Sequence, residues 1–382
     1  MSGVYSCTTH ARALVAQRAF KDKHRFLVGT CSLHESNELC VLEYDEDSNL
    51  LDAVALYSHP DQIWALESSP QDPSLVVTSH QASSSGNAGI TLWRMPGQGL
   101  SETQSAGSPG PSGGDKLDLV QVSALGAVQE KESYAHSIKW HASQDSLLVA
   151  EDNAVCLYSV GQAGAAASAM GRVVLQPKHG DSGQGAAGSH NYLGTGAVAW
   201  AGSSSSAAAA AHGPNFFLLD TKSMSVAAEV LNAHAGAIRD VEYNPNKPHM
   251  LLTCGEDRST HFWDLRNLNA PVKSLAGHSH WVCAAKFNPF HDQLVLTGGS
   301  DGMVNLWRIA SCSTSPWADD ADDKNEQGDA SDSKVRAMDQ HEESVYGVAW
   351  SQADAWLFAS LSYDGRVIAD QVPSTEKYKI LL

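Results

Sequence analysis

Basic residues are in short supply: 25 Lys and Arg stand against 43 Asp and Glu, a formal net charge of −18. Binding nucleic acid requires clustered cations to neutralise phosphates, and no basic stripe interrupts the acidic excess, so no nucleic acid partner is expected. Cysteine is sparse as well. Cys7, Cys31, Cys40, Cys156, Cys254, Cys283 and Cys312 are dispersed, odd in number and never in a C-x-x-C pair, which suits a reducing, cytoplasmic setting better than a disulfide framework. No apolar run reaches the roughly 18 residues that a membrane helix needs, and Met1-Ser2-Gly3-Val4 opens into no apolar stretch of the secretory kind. Direct membrane insertion is therefore not expected. The phosphate-cradling G-x-x-x-x-G-K-[ST] and the zinc-binding H-E-x-x-H are both missing, and His278-Ser279-His280 has no third ligand at a suitable spacing. The expectation is a chain without cofactor, metal or catalytic activity.

What the sequence does contain is a repeated phrase. One copy runs His234 … Ile238 … Tyr243-Asn244-Pro245 … Thr253 … Asp257 … Phe262-Trp263-Asp264, and the next His278 … Val282 … Phe287-Asn288-Pro289 … Thr297 … Asp301 … Leu306-Trp307. The intervals His234 to His278, Asp257 to Asp301 and Trp263 to Trp307 are identical. They fall in the period of about 40–45 residues of a WD40 propeller blade, opened by His and closed by Trp. A third copy, His341 … Val345 … Trp350 … Ser360 … Asp364, follows after a longer interval.

Worn versions of the same grammar extend upstream. The fold expected is all-β, a single seven-bladed WD40 β-propeller spanning 1–382, with blades at approximately 10–45, 59–95, 118–160, 190–222, 234–266, 278–309 and 341–382. Val4–Thr8 and Lys377–Leu382 both read as strand-like, and one of them is expected to close the ring, since a free edge invites aggregation. Segments 97–114, 161–171, 180–188 and 202–213 are rich in Gly, Ala or Ser and read as flexible loops. An insertion at 313–337, between the last two blades, concentrates Asp319, Asp320, Asp322, Asp323, Glu326, Asp329 and Asp332 and reads as a solvated acidic loop.

Within the repeats, His278, Thr297, Asp301 and Trp307 invite comparison with a hydroxyl–His–acid relay. His234, Thr253, Asp257 and Trp263 have the same spacing, however, and two identical sets in one chain fit a repeated structural brace. His341, Ser360 and Asp364 form a third set, incomplete because Asp370 stands where the Trp would fall.

Beyond the period, particular words carry a resemblance. They are Arg25-Phe-Leu-Val-Gly-Thr30, Gln62-Ile-Trp64, Trp93-Arg-Met-Pro96, Tyr243-Asn-Pro-Asn-Lys247, His278-Ser-His-Trp-Val282, His291-Asp-Gln-Leu294, Trp356 through Gly365, and Lys377-Tyr-Lys-Ile-Leu-Leu382. Together they resemble the EARP- and GARP-complex-interacting family of WD40 proteins over nearly the whole chain, most closely from about 232 onward. The third and fourth blades depart from that family, diluted by Ala, Gly and Ser.

The resemblance implies a non-enzymatic scaffold for endosomal and Golgi vesicle-tethering complexes (EARP and GARP), supporting endosomal recycling and endosome-to-Golgi retrograde transport. It also implies a monomer within a larger assembly, associated with the trans-Golgi network and endosomes through partners. For the docking surface the expectation rests on geometry: Trp64, Arg239, Trp281 and Tyr346 lie where inner strands open towards the central channel, and Trp and Arg are the types that dominate interface energy. An alternative rests on Trp263-Asp264-Leu265-Arg266, a W-D-x-R box resembling the docking motif of Cullin-RING ubiquitin ligase substrate receptors, in which the Arg meets an acidic adaptor.

Overall fold

Strands 250–255, 294–299 and 357–362 read as unbroken apolar runs, Met-Leu-Leu-Thr-Cys-Gly, Leu-Val-Leu-Thr-Gly-Gly and Leu-Phe-Ala-Ser-Leu-Ser, and every residue in them is buried. A strand buried on both faces must be sandwiched between two sheets, and the computed structural model shows how. It describes all residues except 1, 84–85, 99–115, 128–134, 152, 162–165, 176–194, 203–205 and 315–331. The chain forms seven antiparallel sheets arranged as a seven-bladed propeller.

Blade 1 is built from Ala11–Ala16, His24–Thr30, Asn37–Asp45 and Leu50–His59, with Leu117–Asp118 added parallel at its edge. Blade 2 uses Gln62–Ser68, Leu75–Gln81, Ala88–Arg94 and Val120–Ala127. Blade 3 follows with Ser137–Trp140, Ser146–Glu151, Ala154–Val160 and Ala167–Val174, and blade 4 with Thr195–Trp200, Ala207–His212, Asn215–Asp220 and Ser225–Val230. Blade 5 has Ile238–Tyr243, Met250–Gly255, Ser259–Asp264 and Lys273–Ala276; blade 6 has Val282–Phe287, Leu294–Gly299, Val304–Arg308 and Ser333–Met338. Blade 7 combines Val345–Trp350, Leu357–Ser362 and Arg366–Gln371 with Gly3–Ser6.

The hydrophobic core is divided into seven clusters, each made of side chains from two adjacent blades. Blade 4 shows the alternation plainly. In Ala207–His212, Ala208 and Ala210 pack with Leu148 and Val198 towards blade 3, while Ala209 and Ala211 pack with Val241 and Trp263 towards blade 5. All four are fully buried. Alanine leaves room there for the rings of Phe216 and Phe217 on the next strand, also fully buried.

The outer strands are where sequence and structure part. Segments 161–171 and 202–213, expected as flexible loops, contain strand residues from Ala167 and Ala207 onward, and the end of the acidic insertion is the outer strand Ser333–Met338. Val120–Ala127 falls in the segment expected to begin the third blade, yet it pairs with Ala88–Arg94 of the second. The expected loop 180–188, nearly all of 97–114 and most of 313–337 lie outside the described residues.

Ring closure belongs to the N-terminal segment. Gly3, Val4, Tyr5 and Ser6 pair with Ala369, Ile368, Val367 and Arg366, and the Ser2 hydroxyl donates to Asp370 Oδ1 at 2.6 Å. The expectation of a strand over Lys377–Leu382 is corrected: Ser374–Leu381 is a helix. Glu376 and Ile380, four residues apart, share its inner side, Glu376 in a buried ion pair with Arg308 at 2.8 Å and Ile380 against the seam between blades 6 and 7.

Deleting residues 2–8 removes the closing strand and bares the edge of Arg366–Gln371. The expected outcome is a lowered thermal midpoint together with concentration-dependent association in light scattering.

Candidate functional site

The His–Thr–Asp–Trp sets meet as hydrogen-bonded chains. His234 Nδ1 lies 3.0 Å from both carboxylate oxygens of Asp257, His234 Nε2 lies 2.8 Å from Thr253 Oγ1, and Trp263 Nε1 donates to that same hydroxyl at 3.0 Å. His278, Asp301, Thr297 and Trp307 repeat the arrangement at 3.0, 2.8 and 2.9 Å. The indole can only donate and the carboxylate only accepts, so the chain has one direction. The hydroxyl oxygen accepts the indole N–H and its own O–H donates to Nε2, while Nδ1–H donates to the Asp.

Asp257 also accepts the Ala235 N–H and the Ser259 hydroxyl. Burial pushes its carboxyl up, but the bonds from His234, Ser259 and Ala235 overrule this and hold it below the usual carboxylate range. Thr253 and Thr297 are both buried and already committed twice. Neither hydroxyl is open to a substrate, an arrangement suited to positioning loops.

The third set is shorter. His341 Nε2 meets Ser360 Oγ at 2.8 Å, whereas Asp364 accepts from the Ser362 hydroxyl and the Arg366 N–H. The Asp370 that replaces the indole receives the closing segment through Ser2. Blade 2 holds a set that the sequence reading missed: His59 Nε2 to Thr78 Oγ1 at 3.1 Å, with Trp93 Nε1 donating to Thr78 at 2.8 Å. Its signal was available, because His and hydroxyl are 19 residues apart in all four blades. The hairpin that follows is longer in blade 2, with 15 residues from Thr78 to Trp93 against 10 in blades 5 and 6.

His234, Asp257 and His261 each bring one donor atom within 4.8 Å of the others. Hydrogen bonds already engage them: His261 Nε2 lies 3.0 Å from Ser259 Oγ and its Nδ1 2.8 Å from Ser274 Oγ. In the W-D-x-R segment, Trp263 is buried in its chain, and the Arg266 guanidinium folds back onto Asp264 at 2.6 to 3.1 Å, although its side chain is 70% exposed.

The candidate docking surface is built by a shared irregularity. Six of the seven inner strands slip register near their start, between Ala11 and Ala13, Ile63 and Ala65, Thr195 and Ala197, Ile238 and Asp240, Val282 and Ala284, and Val345 and Gly347. Each bulge leaves one residue out of the ladder and re-aims its side chain. The residues so released are Arg12, Trp64, Gly196, Arg239, Cys283 and Tyr346, and all six line one cavity of about 430 Å³ at an end of the central channel. Trp281, just before its strand, lines the same cavity. Gly196 is small for a reason: a Cβ there would lie 2.4 Å from the Ile238 carbonyl oxygen.

All four residues expected at the docking surface therefore converge, and Arg12, which sequence reasoning overlooked, joins them. Its guanidinium lies 4.8 Å from the Trp64 ring centroid and 4.7 Å from that of Tyr346. Arg239 covers Trp281 at 5.2 Å and pairs with Glu256. Tyr346 continues edge-on to Tyr363, which stacks on His10 at 4.7 Å. Trp281 and Tyr363 remain 40% and 38% exposed, so this rim presents aromatic surface to solvent. Deeper in the channel, burial pushes the Glu242 carboxyl up to about 7, against the pull of Lys286.

Comparison with known proteins adds a second line. A family profile described as the EIPR1 beta-propeller matches residues 1–109 and 119–307, and one described as WD domain, G-beta repeat matches 332–368. The chain is 34% identical to the EARP and GARP complex-interacting protein 1 of Homo sapiens over 99% of its own length and 98% of that protein's. It is likewise 34% identical to the EARP-interacting protein homolog of Danio rerio, with the same coverage. Against the WD repeat-containing protein DWA2 of Arabidopsis thaliana the identity is 29%, covering 97% of each chain.

Two outcomes follow from the hydrogen-bonded chains. Thr253→Val strands the Trp263 N–H and the His234 ring in the core and is expected to cost about 1–3 kcal/mol in urea unfolding. Burial holds the imidazoles of His59 and His341 down at about 4, against about 6.5 in an unfolded chain. The unfolded state thus binds protons that the folded state refuses. The contribution of these two imidazoles is complete above about pH 6.5 and is lost as pH drops towards 4, offset in part by Glu242, which titrates with the opposite sign. The urea midpoint measured across that window should decline, less steeply in His59→Gln.

Proposed function

The chain belongs to the EIPR1 β-propeller family, and from that premise we propose that it is a non-enzymatic adaptor for vesicle-tethering complexes of the EARP and GARP type. On this reading it supports endosomal recycling and endosome-to-Golgi retrograde transport. It acts in the cytoplasm as a monomer within a larger assembly, peripheral to endosomes and the trans-Golgi network. Among the described residues no helix is long and apolar enough to cross a membrane, which is consistent with recruitment through partners.

The observation that carries the reading is the convergence of Trp64, Arg239, Trp281 and Tyr346 on one open cavity, in a chain whose relatives are named for interaction with those complexes. Aromatic and Arg side chains at the centre of a patch are what binding hot spots are made of. Their arrangement on rigid strand ends means little ordering cost on binding. The hydrogen-bonded chains belong to the scaffold in this account, keeping the loops around the mouth in place.

Affinity purification of the tagged chain from cell lysate is expected to recover tethering subunits in stoichiometric amount. The double substitution Trp281→Ala and Tyr346→Ala should lower that recovery by about tenfold or more with little change in thermal midpoint. Arg266→Glu should leave it unchanged. Recovery of Cullin-ligase components in place of tethers, lost in Arg266→Glu, would overturn the proposal in favour of the ligase reading.

A further inference from the structure

The cavity at the channel mouth is lined by Arg12, Lys139, Arg239 and Lys286 but by a single carboxylate, Asp240. This is a cationic spot on a chain of net charge −18. Three of the four cations are compensated: Lys139 by Glu67 at 3.5 Å, Arg239 by Glu256 and Lys286 by Asp240. Arg12 is different. Among the described residues no carboxylate lies within ion-pair distance of it and no acceptor takes a guanidinium N–H; its side chain is held by the rings of Trp64 and Tyr346. Half-buried and open to solvent in the mouth, this guanidinium sits on a bulge beside the cavity it lines.

The two rings lie against the guanidinium and offer it no hydrogen-bond acceptor, which leaves its N–H groups for a ligand. A planar edge of paired donors matches a carboxylate bidentately. Arg239, across the mouth in blade 5, acts on the same spot: the Cys283 thiol, raised to about 11 by burial, feels the opposing pull of both Arg239 and Arg12. We propose that the mouth binds an acidic linear segment of a protein partner, with one Asp or Glu carboxylate seated on Arg12 and an apolar neighbour against Trp281 and Tyr363. One uncompensated positive charge fits a monoanionic carboxylate and would leave a phosphate dianion half neutralised. The exposed rings favour a peptide over a free anion. This inference rests on the adaptor reading and names the chemistry by which that site recognises its partner.

The test uses the full chain and two probes. Binding of purified EARP and GARP complexes is measured for wild type, Arg12→Met and Arg12→Lys, alongside an array of twelve-residue peptides tiling the subunits of both complexes. Arg12→Met keeps the length and the contact with the rings, and its thermal midpoint is recorded in parallel. The expected result is binding weakened by about tenfold or more in Arg12→Met, with partial recovery in Arg12→Lys. Array hits should each carry an Asp or Glu whose replacement by Asn or Gln removes binding. Arg12→Met binding the complexes within about twofold of wild type, or array hits that lack carboxylates or bind only when phosphorylated, would overturn the inference while leaving the adaptor reading standing. Wild type binding neither complex would overturn the adaptor reading itself.

Discussion

Burial of strands on both faces is the constraint on which the rest of this molecule depends. Met250–Gly255, Leu294–Gly299 and Leu357–Ser362 have no solvent-facing side, so a blade alone would expose apolar surface on its two flanks. Each flank is covered only by the next blade, and the core consists of seven seams rather than one centre. A seam left open cannot be compensated elsewhere, which makes the junction between blades 7 and 1 as important as any other. Cys7, Ala11, Leu14 and Phe26 meet Leu357, Leu361 and Val367 there, beneath the strand contributed by Gly3–Ser6.

The same rigidity is turned to use at the channel mouth. A regular strand alternates its side chains between two seams and has none to spare for the channel. A bulge near the start of six inner strands takes one residue from each out of the ladder without breaking the pairing below, freeing five side chains and Gly196. Chemistry at Arg12, Trp64, Arg239, Cys283 and Tyr346 is therefore less tied to the seams than that of the strands below, whereas Gly196 is held small by the Ile238 carbonyl.

How much of this was legible in the sequence depended on what each position had to satisfy. Blades 5 and 6 were readable because His234, Thr253, Asp257 and Trp263, and their counterparts, must be particular residues to complete a directed hydrogen-bond chain. Blade 4 was harder: its second strand is Ala-Ala-Ala-Ala-Ala-His, a composition with little strand preference that works because neighbouring rings fill the space. Outer strands such as Ala167–Val174 and Ser333–Met338 pair along one side and bury little, so they carry almost no pattern. The helix Ser374–Leu381 was misread because a short mixed apolar run fits either period, and the deciding contact, Glu376 to Arg308, is long-range. Of the mouth, the aromatic residues and Arg239 were found from their place at strand openings. Arg12 was not, since only the three-dimensional arrangement puts it between Trp64 and Tyr346.

The pairing of Gly3–Ser6 with Arg366–Gln371 also sets an order in time. Ser2 and Asp370, bonded in the finished ring, are 368 residues apart in the chain. At ordinary rates of translation that separation corresponds to tens of seconds. Throughout this interval Gly3–Ser6 has no partner, while blades 1 to 6 can already stack as an open arc with two uncovered ends. Gly3–Ser6 can pair only once Arg366–Gln371 exists, so the nascent chain passes through a stage in which both ends of the arc are uncovered.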